Sequence, residues 1–578
     1  VLTGTTVSRD TGYYVQEVIF ATFVQTLNLI NILLVAWSLP NSVLASLRSF
    51  AARLNGTGTF GISRTKLLVI LLGILAAALS ALLSFVSYER HPHLGDEVAY
   101  LYHARYLATG ALWMPTPSVL PAFNLDLFDF DATRWYATPP VGWPLVLAIG
   151  VFLNADWLVN PVLTGISVIL AYVLVQELYD RRTALLTAIL LTASPWFILV
   201  GMSFMTHTSS LAFGLAAAVA MLRARRNDSI SWALASGAAV GMVGLIRPLE
   251  GAIIGVLIGL WVVGLGGNRL KLPGIAAWIA GCGTVGAIIF CYNYVLTGSP
   301  TKFPIMVWAD KYMGVNSNAM GFGPERGAGW PIDPYPGHSP FEALINANLN
   351  TAAINTELFG WATGSLILVI FLCFSERLRR SDLLMAALLI GVFIAHCFYW
   401  FSGGPDFAAR YWFLMIVPLV VLSVRGAECL IDRLKNEPGV SLAGSRVLIA
   451  VALLSLMALV NFLPWRAIDK YHRYLRMRPD IIDLAKTYNF GRSLVLIRGK
   501  RFPDFASAAI YNPIDLQAGS PVFAFDENPD LRHQVLKVYR DRPVWIVDGP
   551  SRTNAGFEIA EGPVSADVLL EREPPGGR

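Results

Sequence analysis

The sequence predicts an all-α polytopic membrane protein that ends in a small, soluble α/β domain. Of its 578 residues, 55% are hydrophobic and only 14% are charged, whereas a soluble globular chain carries about 25% charged residues. The hydrophobic residues form long runs between polar connections as far as residue 464, and the chain then becomes richly charged. We therefore expect lipid to surround most of the chain and water to surround its C-terminal part.

A transmembrane helix needs about 20 consecutive, mostly apolar residues. About twelve runs approach or exceed this length, and they are 15–38, 67–87, 158–177, 183–201, 208–223, 231–246, 250–266, 273–296, 357–374, 383–401, 411–425 and 446–464. The apolar run from Trp143 to Leu153 is too short to cross a bilayer. We expect it to dip into the membrane and return to the side from which it came.

Basic residues are concentrated in every second connection between these runs. They are Arg48, Arg53, Arg64 and Lys66; Arg181 and Arg182; Arg223, Arg225 and Arg226; Arg269 and Lys271; Arg377, Arg379 and Arg380; and Arg425, Arg433 and Lys435. Short basic connections favour the cytoplasmic side, and placing all of them there agrees with alternating spans. The loops 88–157 and 297–356 and the segment after 464 then face outward.

We accordingly divide the chain into an N-terminal span with its cytoplasmic loop (1–66), a membrane domain (67–464) and an outward-facing α/β domain (465–578). In the last domain, the segments SLVLIRG (493–499), PVFAFDE (521–527) and PVWIVDG (543–549) are short and apolar, which predicts buried β-strands. The net charge of +5 is distributed over many loops, so we expect no nucleic-acid partner.

The first outer loop is rich in groups that can do chemistry. Its segment 91–144 contains the adjacent acids Asp96 and Glu97, together with three histidines, two arginines and many aromatic rings. In a chain with so few charges, this density predicts a catalytic loop at the outer membrane face. The segment GDEVAYLYHARYLATG is typical of an amphipathic helix that starts near Val98, and Asp96 could also cap that helix.

Short motifs occur in a fixed order between residues 67 and 430. They are Gly95-Asp96-Glu97 with Ala99-Tyr100; Tyr136-Ala137-Thr138-Pro139-Pro140 with Trp143-Pro144; Ser194-Pro195; Met205-Thr206-His207-Thr208; Arg247-Pro248; Tyr292-Asn293-Tyr294 with Thr297-Gly298-Ser299-Pro300; and Gly403-Gly404-Pro405 with Ala409-Arg410-Tyr411 and Pro418. This set resembles the glycosyltransferase-C superfamily, especially its protein-mannosyltransferase and aminoarabinose-transferase branch and that branch's largely uncharacterised bacterial relatives. Two positions depart from the branch: Thr138 stands where aminoarabinose transferases have a lysine, and His207 stands where many relatives have an aspartate.

The resemblance implies a glycosyltransferase-C-like fold and a polyprenyl-phosphate-linked sugar as donor. Inverting transfer needs a base for the acceptor proton and cations for the departing phosphate. We predict Asp96 as the catalytic base, with Glu97 as second choice. For the donor phosphate we predict Arg410 first, and then Arg247, Lys302 and Arg134, because an arginine fork grips phosphate oxygens in pairs. The alternative is that these side chains only place their charged ends in the water at the membrane interface and bind no ligand.

For the substrate pocket we predict His103, Tyr136, His207 and Tyr411. The sequence specifies no cofactor. A divalent metal is an open alternative at His91, His93 and His103 beside the two acids, but hydrogen-bonded loop histidines are the favoured interpretation, so no metal ligand is assigned. Asp126, Asp129 and Asp131 could form an acceptor-facing or calcium-binding cluster, but a solvated loop is the favoured interpretation.

We therefore predict a membrane glycosyltransferase that transfers a hexosyl or pentosyl group from a polyprenyl-phosphate sugar to an envelope lipid, glycan or protein. We expect an integral protein of the bacterial cytoplasmic (inner) membrane that contacts membrane lipids and whose active site faces the periplasm or exterior. The loop 297–356 would be a lid over the donor. One alternative is a catalytically silent relative that serves as a structural subunit of a membrane complex. A transporter is the second alternative, which the nearly charge-free spans disfavour.

Overall fold

The computed structural model describes residues 11–53, 64–265, 267–331, 336–375, 377–404, 406–435 and 442–572. Pro405 of the Gly-Gly-Pro motif, residues 332–335 of the predicted lid and the terminal residues 573–578 lie outside these ranges. Within them the protein is a bundle of α-helices, with a small sheet in the first outer loop and an α/β unit at the C-terminal end. The predicted fold class is confirmed.

The first helices are α1 (Thr11–Ser38), α2 (Asn41–Arg53), α3 (Arg64–Val86), α4 (Gly95–Ala108), α5 (Gly142–Phe152), α6 (Val159–Leu178), α7 (Arg181–Thr192), α8 (Pro195–Gly201) and α9 (His207–Asn227). They are followed by α10 (Ile230–Ile246), α11 (Pro248–Val262), α12 (Leu272–Thr297), α13 (Pro304–Tyr312), α14 (Pro340–Glu357), α15 (Ile367–Cys373), α16 (Arg380–Cys397), α17 (Ile416–Lys435) and α18 (Ala443–Met457). A 3-10 turn, Arg410–Met415, leads into α17. Helix α18 continues through two π-helical segments as far as Tyr471.

Six stretches of the described residues are helical, long and apolar enough to cross a membrane, and the bent pair α7 and α8 could form a seventh span. The six are Arg64–Val86, Asp156–Leu178, Leu272–Thr297, Arg380–Cys397, Arg410–Lys435 and Gly444–Arg476. Four shorter apolar helices are Thr22–Ser38, Gly142–Phe152, Ile230–Ile246 and Pro248–Val262. The second of these is the run that the sequence predicts to dip. These helices indicate an integral membrane protein, and the number of about twelve spans stays a prediction.

Glycines bring α10 and α12 close together. A Cβ atom at Gly237 would lie 2.1 Å from the backbone oxygen of Trp278, and one at Gly281 would lie 2.3 Å from the backbone oxygen of Leu234. Any larger residue at either position would push the two backbones apart, so the pair packs through small residues, as membrane helices commonly do.

Several of the predicted cytoplasmic connections meet at one end of the bundle. Arg425 of α17 is buried and pairs with Asp382 of α16 at 3.3 Å and with Glu428 at 2.5 Å. Arg379, which precedes α16, lies 3.4 Å from Asp180 between α6 and α7. A buried charge is tolerated only with such partners. The outer loops gather beyond the other end of α17, where the turn that begins at Arg410 precedes it.

The first outer loop contains a three-stranded antiparallel sheet in the order β1 (Met114–Pro115), β3 (Arg134–Ala137) and β2 (Phe128–Phe130). This sheet was not predicted from the sequence, because strands of two to four residues are too short for an alternating pattern to be recognised. The predicted helix is α4, but it begins at Gly95 and not near Val98, so Asp96 lies in its first turn and does not cap it. The prediction that the helix is amphipathic was wrong, because its side chains are buried on most sides.

The C-terminal unit is built on a four-stranded sheet. Its strands are β4 (Leu494–Arg498), β5 (Val522–Phe525), β6 (Pro543–Asp548) and β7 (Glu558–Ser565), in the order β5-β4-β6-β7. Helix α19 (Ile481–Thr487) precedes them, and α20 (Phe502–Ala509), α21 (Pro529–Val538), α22 (Pro550–Thr553) and α23 (Ala566–Arg572) lie between and after them. Strand β4 is parallel to β5 and β6, whereas β7 is antiparallel to β6. The three predicted strands are confirmed as β4, β5 and β6. Strand β7 was missed because it is half exposed and contains a Gly-Pro pair.

The α/β unit packs on the first outer loop. Arg105 of α4 donates from Nη2 to the backbone oxygen of Asn512 at 2.8 Å and from Nη1 to that of Ile510. Nδ1 of His91 lies 2.9 Å from the Tyr511 hydroxyl oxygen. The C-terminal unit therefore supports the same helix whose first turn carries Asp96.

Candidate active site

Asp96 and Arg410 lie together at the end of the bundle where the turn Arg410–Met415 leads into α17. Oδ2 of Asp96 is 3.5 Å from Nη2 of Arg410, and the Asp96 side chain is 34% exposed while that of Arg410 is 6% exposed. Nη1 of Arg410 lies 3.8 Å from Asp406 and also 3.8 Å from the sulfur of Met205. Its Nε has no hydrogen-bond partner among the described residues. The first-choice base and the first-choice phosphate ligand thus share one site, in which the carboxylate is reachable and the guanidinium is enclosed.

The neighbouring acid, Glu97, faces the interior and is fully buried. Its Oε2 accepts hydrogen bonds from the backbone N–H groups of His93 at 2.8 Å and Leu94 at 3.2 Å, and its Oε1 accepts one from Phe204 at 3.0 Å. The Tyr88 hydroxyl donates to Oε2 at 3.1 Å. Burial raises the pKa of Glu97 to about 7, and these four hydrogen bonds oppose the rise. Glu97 joins the start of α4 to the turn before α9 and is enclosed there, and its role as a second-choice base stays a prediction.

Arg247 lies at the break between α10 and α11 and belongs to the same cluster. Its side chain is 16% exposed, its Nε pairs with the buried Glu250, and its Nη1 donates to the Thr206 hydroxyl at 3.3 Å. Its Cζ lies 4.8 Å from the centre of the Tyr411 ring, and Cζ of Arg410 lies 5.6 Å from the same point. Two guanidinium groups therefore contact one tyrosine ring. Nη2 of Arg247 has no hydrogen-bond partner in the described part of the chain.

Tyr411 is the centre of an aromatic cluster. Its ring centre lies 5.7 Å from that of Phe401, 5.9 Å from Tyr399, 6.0 Å from His207 and 6.1 Å from His396. Two of the four residues predicted for the substrate pocket, His207 and Tyr411, are therefore in contact with each other, and Tyr411 also contacts the two arginines.

The other two predicted pocket residues, His103 and Tyr136, lie elsewhere. His103 is buried with its ring stacked on Tyr106, and its Nε2 lies 2.8 Å from the hydroxyl of Tyr292. Burial lowers the pKa of His103 to about 3. Tyr136 packs in an apolar cluster that also contains Leu245 and Tyr292. Both side chains pack between α4 and α12. A substrate role for either residue stays a prediction.

Of the remaining predicted phosphate ligands, Arg134 pairs with Asp131 at 2.6 Å and donates to the backbone oxygen of Val295 at 2.7 Å. Lys302 is exposed. Neither has an ion pair or hydrogen bond with Asp96 or Arg410 in the described ranges, so the structure does not bring them to the cluster.

The side chains of the histidines and acids in the first loop do not come together at one site. Burial lowers the pKa of His91 to about 3, and Nδ1 of His93 lies 3.2 Å from the backbone oxygen of Tyr471. Among the described residues, no three histidine, cysteine, aspartate or glutamate side chains are placed to share a metal ion. Asp129 pairs with Lys311 at 2.7 Å. Asp126 lies beside α4, within 3.5 Å of where a Cβ atom on Gly95 would stand.

Two site residues were missed by sequence reasoning. Tyr100 follows Asp96 by one helical turn, so the two share a face of α4. Burial raises the pKa of Tyr100, the charge of Asp96 raises it further, and the charges of Arg247 and Arg410 lower it. The spacing of four residues from Asp96 could have identified Tyr100. No sequence signal distinguished Asp406, which approaches Arg410 through a local turn.

The fold and this cluster define a polytopic membrane protein in which an acid and two guanidinium groups meet at one end of the helix bundle. A family model described as dolichyl-phosphate-mannose-protein mannosyltransferase matches residues 138–294. The apo crystal structure of ArnT from Cupriavidus metallidurans is similar in fold, with a TM-score of 0.50, 14% identity and coverage of 83% of this chain and 93% of that chain. The same protein bound to undecaprenyl phosphate gives a TM-score of 0.46, 16% identity and coverage of 83% and 94%.

An apo oligosaccharyltransferase from Archaeoglobus fulgidus gives a TM-score of 0.43 at 13% identity, over 78% of this chain and 64% of that chain. No curated protein sequence matches the chain. The match over residues 138–294 and the fold shared with ArnT are both similarities to the glycosyltransferase-C superfamily, in its part that contains ArnT and the protein mannosyltransferases. The resemblance noted in the sequence is thereby confirmed.

Proposed function

We propose that the protein transfers a sugar from a polyprenyl-phosphate donor to an envelope lipid, glycan or protein, with inversion, at the outer face of the bacterial cytoplasmic membrane. The observation that carries the proposal is the 3.5 Å contact between the Asp96 carboxylate and the Arg410 guanidinium. Inverting transfer requires a base and an anion-binding group on either side of one anomeric carbon. ArnT, whose fold the chain shares, binds undecaprenyl phosphate in one of its structures, which supports a carrier of this kind.

In the proposed reaction, Asp96 accepts the proton of the acceptor hydroxyl while that oxygen forms a bond to the anomeric carbon. The bond from the anomeric carbon to the phosphate oxygen breaks, and its electron pair leaves with the polyprenyl phosphate. Arg410 and Arg247 stabilise the charge on that phosphate through charge-assisted hydrogen bonds. Tyr411, which both guanidinium groups contact, keeps them oriented.

The second outer loop is suited to the proposed role of a lid. Lys311 of α13 pairs with Asp129 of the first loop at 2.7 Å. His338 Nε2 lies 3.0 Å from the backbone oxygen of Cys397, and Asn346 of α14 donates to that of Trp400 at 3.0 Å. These contacts hold the loop over the aromatic cluster, where it would keep water from the activated sugar.

The experiment is a transfer assay with radiolabelled polyprenyl-phosphate sugars and envelope extract in proteoliposomes. Asp96→Asn should lower turnover by about 10²-fold or more, since a positioned base contributes on that order, while donor binding persists. Asp228→Asn, at an exposed pair with Lys271, is the matched control and should retain full turnover. Unchanged turnover in Asp96→Asn would remove Asp96 from the role of base, and a parent protein inactive with every donor would favour the silent structural subunit.

A further inference from the structure

Arg410 has a second carboxylate partner, Asp406, which the proposed reaction does not use. Oδ2 of Asp406 lies 3.8 Å from Nη1 of Arg410, whereas Oδ2 of Asp96 lies 3.5 Å from Nη2. The two acids therefore contact different terminal nitrogens of one guanidinium group. The side chain of Asp406 is 15% exposed and that of Asp96 is 34% exposed, so Asp406 is the more enclosed of the two.

The two acids also differ in how they are held. Oδ1 of Asp406 accepts a hydrogen bond from the hydroxyl of Tyr474, which follows the helix that ends at Tyr471. The Asp96 carboxylate contacts Arg410 but makes no hydrogen bond with any described residue. One carboxylate on the guanidinium group is thus anchored by a second partner, and the other is free to leave.

The turn that begins at Asp406 is held from two sides in an unfavourable conformation. Phe407 and Ala408 both have positive φ angles, of 52° and 55°, which residues other than glycine rarely adopt. Trp196 donates from Nε1 to the backbone oxygen of Phe407 at 2.8 Å, and the Phe407 N–H donates to the Tyr471 hydroxyl at 2.9 Å. Such a conformation persists only where the surrounding structure holds it. The packing therefore fixes this turn, and with it the acid at its start.

An anchored acid and a free acid on one guanidinium group can have different tasks. We propose that Asp406 is a positioning residue that acts through Arg410: it holds the Nη1 end of the guanidinium group and offsets part of its charge, so that Asp96 is bound weakly enough to be released. A cation with a permanent anionic partner attracts a second carboxylate less strongly, because the two anions repel each other. This inference rests on the proposed function, in which Asp96 acts as the base and Arg410 binds the donor phosphate.

The test measures the binding of undecaprenyl phosphate to the full chain in lipid nanodiscs. Asp406→Asn keeps the shape of the side chain but removes its negative charge, which repels a phosphate at Arg410. We expect this variant to bind undecaprenyl phosphate about threefold more tightly than the parent, or tighter still. Its turnover in the transfer assay described above should fall, because Arg410 then holds both Asp96 and the departing polyprenyl phosphate more firmly.

Tyr474→Phe should change the affinity in the opposite direction. It removes the hydroxyl that anchors Asp406 and leaves every charge in place. Without this donor, the Asp406 carboxylate interacts more strongly with Arg410, so the affinity for undecaprenyl phosphate should fall by about twofold or more. A merely structural role for the turn predicts weaker binding and a lower melting temperature in both variants.

Two substitutions in the α/β unit are the matched controls. Asp541→Asn removes an acid from an exposed pair with Arg492, and Tyr488→Phe removes the hydroxyl of a tyrosine that is 51% exposed. Both should bind undecaprenyl phosphate as the parent does, since neither acid nor hydroxyl contacts Arg410 or Asp406.

An Asp406→Asn protein that binds undecaprenyl phosphate no more tightly than the parent, or that fails to fold, would overturn the role of Asp406. A Tyr474→Phe protein with the affinity of the parent would overturn the anchoring by Tyr474. Unchanged turnover in Asp406→Asn would show that Asp96 is released equally well without Asp406, and would also overturn the inference. A parent that binds no undecaprenyl phosphate would contradict the proposed function itself, and this inference with it.

Discussion

The carboxylate of Asp96 and the guanidinium of Arg410 approach to 3.5 Å, although one residue begins the first outer loop helix and the other precedes one of the last membrane helices. Arg410 is nearly enclosed, and its two terminal nitrogens contact the carboxylates of Asp96 and Asp406. A phosphate that bonds to Arg410 must compete with Asp96 for it. Donor binding would thereby release the carboxylate to act as a base at the moment when an activated sugar is present.

The two arginines that contact Tyr411 should be sensitive to the shape of their side chains. Arg410→Lys and Arg247→Lys retain the positive charge but lose the planar fork that bonds two phosphate oxygens at once. We expect each to raise the KM for the donor by about tenfold or more, measured as initial rates against donor concentration in proteoliposomes. Lys302→Gln is the control, because Lys302 is exposed. A larger effect at Lys302 than at Arg410 would contradict this arrangement of the phosphate site.

Glu97→Gln should change the way in which stability depends on pH. The pKa of Glu97 is raised from 4.5 to about 7 by burial, so the folded protein binds a proton more tightly than the unfolded chain does. The resulting stabilisation is complete below pH 4.5 and is lost as the pH rises through 7. Glutamine cannot titrate. The melting temperature of the parent, minus that of Glu97→Gln, should therefore fall between pH 5 and pH 8 in detergent.

If the difference in melting temperature between the parent and Glu97→Gln stayed constant across that pH range, Glu97 would keep one charge state throughout. Activity gives a second measurement. Glutamine places an NH₂ group against backbone N–H donors that now bond to Glu97, and this should displace the first turn of α4. We expect turnover to fall even though Glu97 itself does not reach the acceptor.

The sequence predicted the fold class because membrane spans and buried strands leave strong patterns of apolar residues. It also selected Asp96 and Arg410, since each lies in a motif of the superfamily, and the structure brings these two residues to 3.5 Å from each other. It ranked Asp96 above Glu97 but could not show that Glu97 is buried, because adjacent acids look alike until the start of the helix is defined. Similarly, Arg247 and Lys302 were ranked alike, and only the packing of Tyr411 shows which of them joins Arg410.

Asp126 should make donor binding depend on pH. Its desolvation and the nearby charge of Asp96 raise the pKa of Asp126 to about 6. Below pH 6 this carboxyl is neutral, and above it a second negative charge stands beside the site and repels the donor phosphate. The KM for the donor should therefore rise as the pH increases from 5 to 7 in the parent. Asp126→Asn should keep the low value throughout, whereas Asp129→Asn, whose partner is Lys311, should follow the parent. Identical pH profiles for the parent and Asp126→Asn would contradict the prediction.

The C-terminal unit should support catalysis from a distance through Arg105. This side chain on α4 donates to backbone oxygens of Ile510 and Asn512, and hydrogen bonds from a charged donor contribute about 1.5–3 kcal/mol each. Arg105→Gln keeps a donor but loses the fork, so the unit should detach more often. We expect faster hydrogen exchange in α4 and β5 and a lower turnover at unchanged donor KM, because Asp96 lies at the start of α4. Arg540→Gln, an exposed pair within the α/β unit, should alter neither. If exchange accelerates and turnover stays constant, the unit packs on the loop without helping to hold Asp96 in place.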